Sequence, residues 1–409
     1  MNEISKLEDI LPEEIRKSNS LLSYTIEPLT SAGDNYGSEV QLITLQLQDK
    51  STNRIKETKV VAKRAPESEF IKKLFNTPVT FRKEVKFYQE VLPALRRFQN
   101  ENGVDDLLTF VPKYYGGRLT LQVHSEEADN DAIFLLENLK VSGFRNEDRL
   151  VGFDLETSIV ILDCLAKLHG TVLAFKTKKP EEFQKIVMPA LEYPFTEIPL
   201  NTEAMKKLLD DIINAGIAAD SSLAKKSKEI YEKLMKSMKI RYSPPKPNEI
   251  FATMCHNDFW VNNIMVKRSG EGSFVQCKVL DFQITQYGSP AKDVFFFLMS
   301  STKRSVKEDH FETLCRHYFN TLMEVLEMFS VDTTSFSYEL FLEEIKTVVQ
   351  EDEFYHLMVM LKPIFASRGE ANELKDYDMN NLLSNDVESD LYREQVAYTI
   401  NKLYARKWI

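Results

Sequence analysis

The chain has 409 residues, 43% hydrophobic and 28% charged, with a formal net charge of -10. A length above the size at which one core stops growing predicts two lobes, and an acidic balance without a basic stripe argues against a nucleic-acid partner. The amino terminus, MNEISKLEDILPEEIRKS, lacks the apolar core of a signal peptide, and the apolar run Val294 to Met299 is far shorter than the roughly 20 residues that cross a bilayer. Cys164, Cys255, Cys277 and Cys315 show no CxxC spacing. The expectation is a soluble cytoplasmic monomer with reduced thiols and no membrane partner.

After a short amino-terminal helix signal, Ser23 to Thr30 and Ser38 to Gln48 alternate apolar and polar side chains around the turn-rich SAGDNYG, which predicts a hairpin. A third strand follows over Thr58 to Lys63, with Val61 and Lys63 on one face. Thr77 reads as an N-cap with Pro78 at the first helical position. The apolar positions Phe81, Val85, Tyr88, Leu92 and Leu95 make the following segment an amphipathic helix that carries Glu84. Strands over Arg118 to Val123 and Ala132 to Leu136 complete an antiparallel sheet with one main helix in residues 1–137.

From Leu155 the pattern turns helical, with Ile159, Leu162, Leu165 and Leu168 on one face and a long helical stretch from about Thr202 to Lys239. One β interruption is evident, Ile264 to Lys267 and Phe274 to Val279 around RSGEGS. Phe311, Leu314, Tyr318, Leu322 and Val325 mark a further helix. Residues 138–409 thus read as an α-rich second lobe, and the fold class as α+β.

The chemistry concentrates in CHNDFWVNNIMV and VLDFQ, which place Asp258, Asn263 and Asp281 on the two flanks of that hairpin. Phosphoryl transfer needs a carboxylate to orient the attacking hydroxyl and hard oxygen ligands for Mg²⁺. Asp258 suits the first task, Asn263 and Asp281 the second. The same residues would also make a capped turn, but the hairpin and the Asp-Phe that follow favour the catalytic reading. His256 belongs to the catalytic set as a residue that holds the loop by hydrogen bonds. A thiol dyad of Cys255 with His256 is disfavoured, because adjacent residues on an extended backbone point to opposite sides.

Upstream, Lys63 on a strand and Glu84 on a helix can clamp the α- and β-phosphates of ATP, although such residues are more often solvated. Gly33, Gly37 and Ser38 either let backbone N–H groups approach phosphate or form a plain hairpin turn. His169, His310, His317 and His356 lack metal-ligand spacing and read as structural. Asp293 reads equally as an anchor for the catalytic loop and as a helix cap.

The segments GDNYGSEV, VVAKRAP, FRKEVKFYQEVLP, FLLENL, LAKLHG, HNDFWVNNIMV and VLDFQITQYGSPAKDVFFFL together resemble the insect ecdysteroid kinase-like proteins, relatives of the aminoglycoside and choline kinases. The resemblance covers most of the chain and implies a bilobal protein-kinase-like fold. It implies Phe134 to Leu139 as a hinge whose backbone, at Glu137 and Leu139, would bind adenine. It also implies Lys63 and Glu84 as the phosphate clamp, Asp258 as base, and Asn263 with Asp281 as magnesium ligands. Asn257 stands where many relatives have glycine, and Gln283 where protein kinases have the glycine of DFG.

The long stretch between His169 and His256 leaves room for an extra helical subdomain against a small-molecule pocket. The short one between Asp281 and Asp293, with no APE after it, leaves little for a peptide-docking loop. The expected acceptor is a hydroxylated apolar compound such as an ecdysteroid. The competing readings are an ATP-binding pseudokinase, and a choline- or aminoglycoside-type kinase whose cationic acceptor would be met by carboxylates such as Glu181, Glu182, Glu192, Asp210 and Asp211.

Overall fold

The computed structural model describes residues 3–29, 38–195, 202–270, 275–368 and 386–409. A short helix, α1 (Glu13–Ser18), leads into a five-stranded antiparallel sheet of β1 (Asn19–Pro28), β2 (Glu39–Asp49), β3 (Ile55–Arg64), β4 (Tyr114–Arg118) and β5 (Ile133–Glu137), in the order β1-β2-β3-β5-β4. Alternation along β3 sorts its side chains. Val60 and Ala62 pack with Ile43, Leu45, Ile133 and Leu135 beneath Leu7, Ile10 and Leu11 of the amino-terminal segment, while Val61 and Lys63 turn to the opposite face and line a cavity. A Cβ on Gly116, whose φ is 149°, would stand 1.9 Å from the Ile10 carbonyl oxygen. Glycine is what lets the amino-terminal segment lie that close to β4.

Two elements of this lobe differ from expectation. The helix from Thr77 is preceded by another, α2 (Glu69–Phe75), and the residue between them, Asn76 with a left-handed φ of 46°, is the cap that Thr77 was expected to be. The second helix, α3 (Thr77–Lys86), passes through a π turn at Phe87–Val91 into α4 (Leu92–Glu101). The strand expected over Arg118 to Val123 ends at Arg118 and starts earlier, with Gly116 and Gly117 in the ladder with β5. Beyond it the Thr120 hydroxyl bonds Asp129 at 2.5 Å and folds the chain into a loop that leaves Val123 80% exposed.

The second lobe begins with β6 (Arg145–Asn146) and α5 (Leu155–Lys178), whose first turn is capped by Asp154 accepting the Thr157 N–H at 2.9 Å. Helix α5 is long and apolar enough to cross a bilayer by length and composition, and 78% of its most apolar window is buried in this lobe. Short α6 (Pro180–Glu182) follows. The long stretch expected over Thr202 to Lys239 is broken at Asp220 into α7 (Thr202–Ala219), a 3-10 turn and α8 (Ser227–Arg241), because the Asp220 side chain caps the second piece through the Ser222 N–H at 2.9 Å.

Four short strands then carry the site: β7 (Thr253–Cys255), β8 (Ile264–Arg268), β9 (Val275–Val279) and β10 (Gln286–Gly288). They form a β10-β7 pair and a β6-β8-β9 sheet. Helix α9 (Ala291–Ser301) is buried along its whole length. After α10 (Arg304–Asp309) comes α11 (Phe311–Met328), which crosses α5 so closely that a Cβ on Gly170 would meet Val325 at 2.6 Å. The chain continues through α12 (Tyr338–Val348), a π turn at Val349–Glu353, α13 (Phe354–Phe365) and α14 (Asp390–Ala405). An antiparallel sheet comes first and a helical lobe second, with the site-bearing strands set among its helices: this is the α+β, bilobal, protein-kinase-like arrangement.

Candidate active site

The catalytic-loop segment leaves β7 at Cys255 and reaches β8 at Ile264. Its start is held by one buried carboxylate. Asp293, in the first turn of α9, accepts the backbone N–H of His256 at 2.6 Å and that of Asn257 at 2.7 Å, and its Oδ2 lies 3.1 Å from His169 Nε2. Burial raises the cost of that charge, yet His169 and the two N–H groups hold the Asp293 pKa below its ordinary value. Of the two readings of Asp293, the anchor is the one the geometry shows. His169 Nδ1 in turn meets the Tyr318 hydroxyl at 2.7 Å, so the histidine of LAKLHG orients the anchor from behind.

His256 is fully buried, and burial lowers its pKa. Its Nε2 lies 2.8 Å from the Leu280 carbonyl, so a neutral ring donates there and ties the loop to the segment that carries Asp281. Asn257 has φ 66°, the left-handed conformation that a glycine adopts without strain. Asparagine tolerates it, and Arg241 Nη1 donates to its Oδ1 at 3.0 Å. Cys255 is buried with its thiol on the Ser289 carbonyl at 3.1 Å, and burial raises its pKa far above the ordinary thiol value, so it is no nucleophile.

Asp258 faces the cavity. Asn263 Nδ2 donates to its Oδ2 at 2.8 Å and to its backbone carbonyl at 2.9 Å, which leaves the Asn263 amide oxygen as the atom available to a cation. Burial and the neighbouring Asp281 push the Asp258 pKa up to about 7, against the pull of that hydrogen bond. A carboxylate poised near neutrality is suited to receive a proton.

Lys63 stands between two carboxylates, 2.6 Å from Glu84 Oε2 and 2.7 Å from Asp281 Oδ1. Burial works against its charge, but Asp281 and Glu84 outweigh it and hold its pKa above the ordinary value. Burial raises Glu84, and the ammonium opposes that rise. The other Glu84 oxygen accepts the Phe282 N–H at 3.3 Å, and the Phe282 ring stacks on Phe87 at 3.9 Å. One residue earlier on α3, the fully buried Lys83 donates to the Thr285 carbonyl at 2.6 Å. Thus α3 and the π turn that follows it grip the Asp281 segment at three points.

Lys63, Glu84, Asp258, Asn263 and Asp281 all line one cavity of about 410 Å³. On its sheet side stand Leu29, Val40, Val61 and Leu136, with Glu137 to Lys140 at the connection to the second lobe. Phe134 to Glu137 belong to β5, so of the expected hinge only Asn138 and Leu139 lie beyond the strand, with Glu137 as its last residue. The Glu137 N–H is bonded to the Lys113 carbonyl and the Leu139 carbonyl to the Phe144 N–H. Both Glu137 and Leu139 line the cavity, where the Glu137 carbonyl and the Leu139 N–H are the backbone groups of interest for a ligand. Ser38 is buried at the start of β2 and is not part of the described lining. Gly33 and Gly37 lie outside the described residues.

On the helical side the wall is mainly apolar: Phe195, Trp260, Ile284, Met360 and Pro363, with His356 among them. None of Glu181, Glu182, Glu192, Asp210 and Asp211 lines it; Glu192 pairs with Arg82 and Asp211 with Lys207 on the surface. Behind the wall, Arg241 Nη1 lies 3.3 Å from Asp352 Oδ2 and 3.2 Å from Glu353 Oε1, and Lys292 Nζ lies 2.7 Å from Asp352 Oδ2. Sequence reasoning did not single out Arg241, Lys292, Asp352 or Glu353, because α8, α9 and the π turn at Val349–Glu353 that carry them are far apart in the chain and share no local spacing.

A sheet lobe joined to a helical lobe, with an ion-paired lysine and a carboxylate-bearing loop facing one cavity, defines a protein of the kinase-like fold. The chain belongs to the ecdysteroid kinase-like family, whose model matches residues 32–331. Among solved structures it is similar to an ethanolamine kinase of Plasmodium vivax, at 10% identity and a TM-score of 0.42 over 98% of this chain and 87% of that one. It is similar also to a microcompartment-associated aminopropanol kinase, at 10% identity and a TM-score of 0.41 over 94% of each chain. A third is APH(2″)-IIa in a ternary complex with streptomycin and ATP, at 12% identity and a TM-score of 0.28 over 87% of this chain and 99% of that one. Likenesses this distant carry no argument about substrate. No curated protein matches the chain by sequence.

Proposed function

We propose that the chain is an ATP- and magnesium-dependent phosphotransferase acting on a hydroxyl of a small, largely apolar acceptor, an ecdysteroid or a similar polyhydroxylated compound. The observation that carries this reading is that Lys63, Asp258, Asn263 and Asp281 open into the same cavity as an apolar wall of Phe195, Trp260, Ile284, Met360 and Pro363. The donor set fits the ion. Asp281 and Asn263 offer two hard oxygens in the cavity, which suits a magnesium ion whose remaining ligands are phosphate and water.

Bound ATP with its magnesium supplies the transferable phosphoryl group and neutralises its charge. Lys63, fixed by Glu84, binds phosphate oxygens, and Asp281 together with the Asn263 amide oxygen holds the ion. The Glu137 carbonyl and Leu139 N–H bind the base. Asp258, oriented by the Asn263 amide, takes the proton of the attacking hydroxyl. The absence of carboxylates from the described acceptor wall favours an apolar acceptor over a cationic one.

The test is incubation of purified protein with Mg²⁺, ATP and a panel of ecdysteroids, plant steroids, phenols, choline and aminoglycosides, with products read by mass spectrometry and Asp258→Asn as control. A phosphorylated steroid absent from the control is the expected result. Phosphorylation of choline or an aminoglycoside alone would overturn the acceptor class, and ATP binding without any product from the panel would favour a pseudokinase.

A further inference from the structure

His356 is the one imidazole in the wall of the cavity. It is 9% exposed, and its ring is stacked on Phe296 at 4.3 Å with 22° between planes, which fixes the ring's orientation. Its Nδ1 lies 3.0 Å from Glu353 Oε2, while the other Glu353 oxygen is taken by Arg241 at 3.2 Å. A carboxylate held by a guanidinium only accepts hydrogen bonds, so the proton of a neutral imidazole sits on Nδ1 and the lone pair on Nε2. Burial lowers the His356 pKa and Arg241 adds to that, against the opposing pull of Glu353 and Asp352. The ring is therefore kept neutral with one acceptor atom, among apolar neighbours, in the same cavity as Asp258.

We infer that His356 determines acceptor specificity: its Nε2 accepts a hydrogen bond from a hydroxyl of the acceptor other than the one phosphorylated, and Glu353 and Arg241 hold it in the tautomer that does so. The inference rests on the reading of the cavity as a phosphotransferase site with an apolar, polyhydroxylated acceptor. A polar atom confined to an apolar wall discriminates strongly, because an acceptor lacking the matching hydroxyl leaves it desolvated and unpaired. The same Arg241 bonds Asn257 beside the base. The atom that would read the remote hydroxyl and the loop that receives the reacting one are thus tied through a single guanidinium.

The experiment compares wild type, His356→Phe and His356→Gln for binding and phosphorylation of 20-hydroxyecdysone and its single-deoxy analogues, with calorimetry for binding and product mass for turnover. Wild type is expected to bind one deoxy analogue about 10- to 100-fold more weakly than the parent. His356→Phe, which keeps the stack on Phe296, should bind the two alike at the weaker level, and His356→Gln, which retains an acceptor oxygen, should recover part of the preference. The ATP KM should stay within about twofold in all three, since His356 lies on the helical side of the cavity. An unchanged preference in His356→Phe, or an equal loss for every steroid, would overturn the assignment while steroid phosphorylation persists. Failure of wild type to bind or phosphorylate any steroid would overturn the acceptor reading itself, and the inference with it.

Discussion

Asn257 offers a test in which the order of two variants, not the size of one effect, decides. Its φ of 66° lies where a residue with a Cβ pays about 1–2 kcal/mol, a cost asparagine meets more easily than alanine. Its Oδ1 also receives a hydrogen bond from Arg241 at 3.0 Å. A bond to a charged donor is worth about 1.5–3 kcal/mol, and the lower end applies because Arg241 keeps Asp352 and Glu353 as partners. Asn257→Ala loses the bond and adds strain, about 2–3 kcal/mol together. Asn257→Gly loses the bond but relieves strain, for a net cost of about 0.5–1 kcal/mol. Urea midpoints measured side by side should therefore rank wild type above Gly and Gly above Ala, the reverse of the usual Gly-to-Ala order. An alanine variant as stable as the glycine variant would refute the claim that this backbone conformation, rather than the side chain alone, sets the residue.

Other expectations follow from the same geometry. With the Asp258 pKa at about 7, kcat/KM should rise about tenfold per pH unit below that value and level off above it; a flat profile from pH 6 to 8 would remove Asp258 as the base. Because that pKa lies above the ordinary 3.8, the stability tied to the protonated form is full below pH 3.8 and lost as pH rises through about 7. Asp258→Asn should consequently melt higher than wild type at pH 8, the difference closing toward pH 4, while its turnover is abolished. Lys63→Met should lower turnover by about 100-fold or more, as loss of a charged donor at a phosphoryl site does, with the fold intact by circular dichroism. Asp293→Asn should cost about 1–3 kcal/mol in stability by leaving one loop N–H unpaired, and should lower kcat with little change in the ATP KM.

The parts of the site that were legible in the sequence are those whose geometry is local. Asp258 and Asn263 sit in one loop and Asp281 ends the adjoining hairpin, so their convergence needs only the β8–β9 pairing. Lys63 was legible because strand alternation fixes its face whatever the rest of the chain does. The Arg241, Glu353 and His356 group was not. It joins the end of α8 to a π turn, and a π turn shifts the helical faces on either side of it, so a regular period read across Val349–Glu353 misplaces them. The misplaced strand after Arg118 has a similar origin: Gly116 serves a close approach to Ile10, which lies far away in sequence, so nothing local marks it as part of a strand. The break at Asp220 was missed because the apolar period continues beyond a cap that only its side chain reveals.

Helix α9 shows how the fold couples the two halves of the site. Its first turn places Lys292 and Asp293 side by side in sequence, and they serve different neighbours. Asp293 holds the loop through the His256 and Asn257 N–H groups. Lys292 holds Asp352, in the π turn next to the acceptor wall. Arg241 closes the circuit by touching Asn257, Asp352 and Glu353 at once. The base-bearing loop and the acceptor wall are therefore referenced to one rigid, fully buried helix. Removing one charge from that circuit strands its partner in the interior, where an unpaired ion is costly. The short stretch from Asp281 to α9 has the same logic: with β10 paired to β7 directly before the helix, the chain returns at once to the anchor.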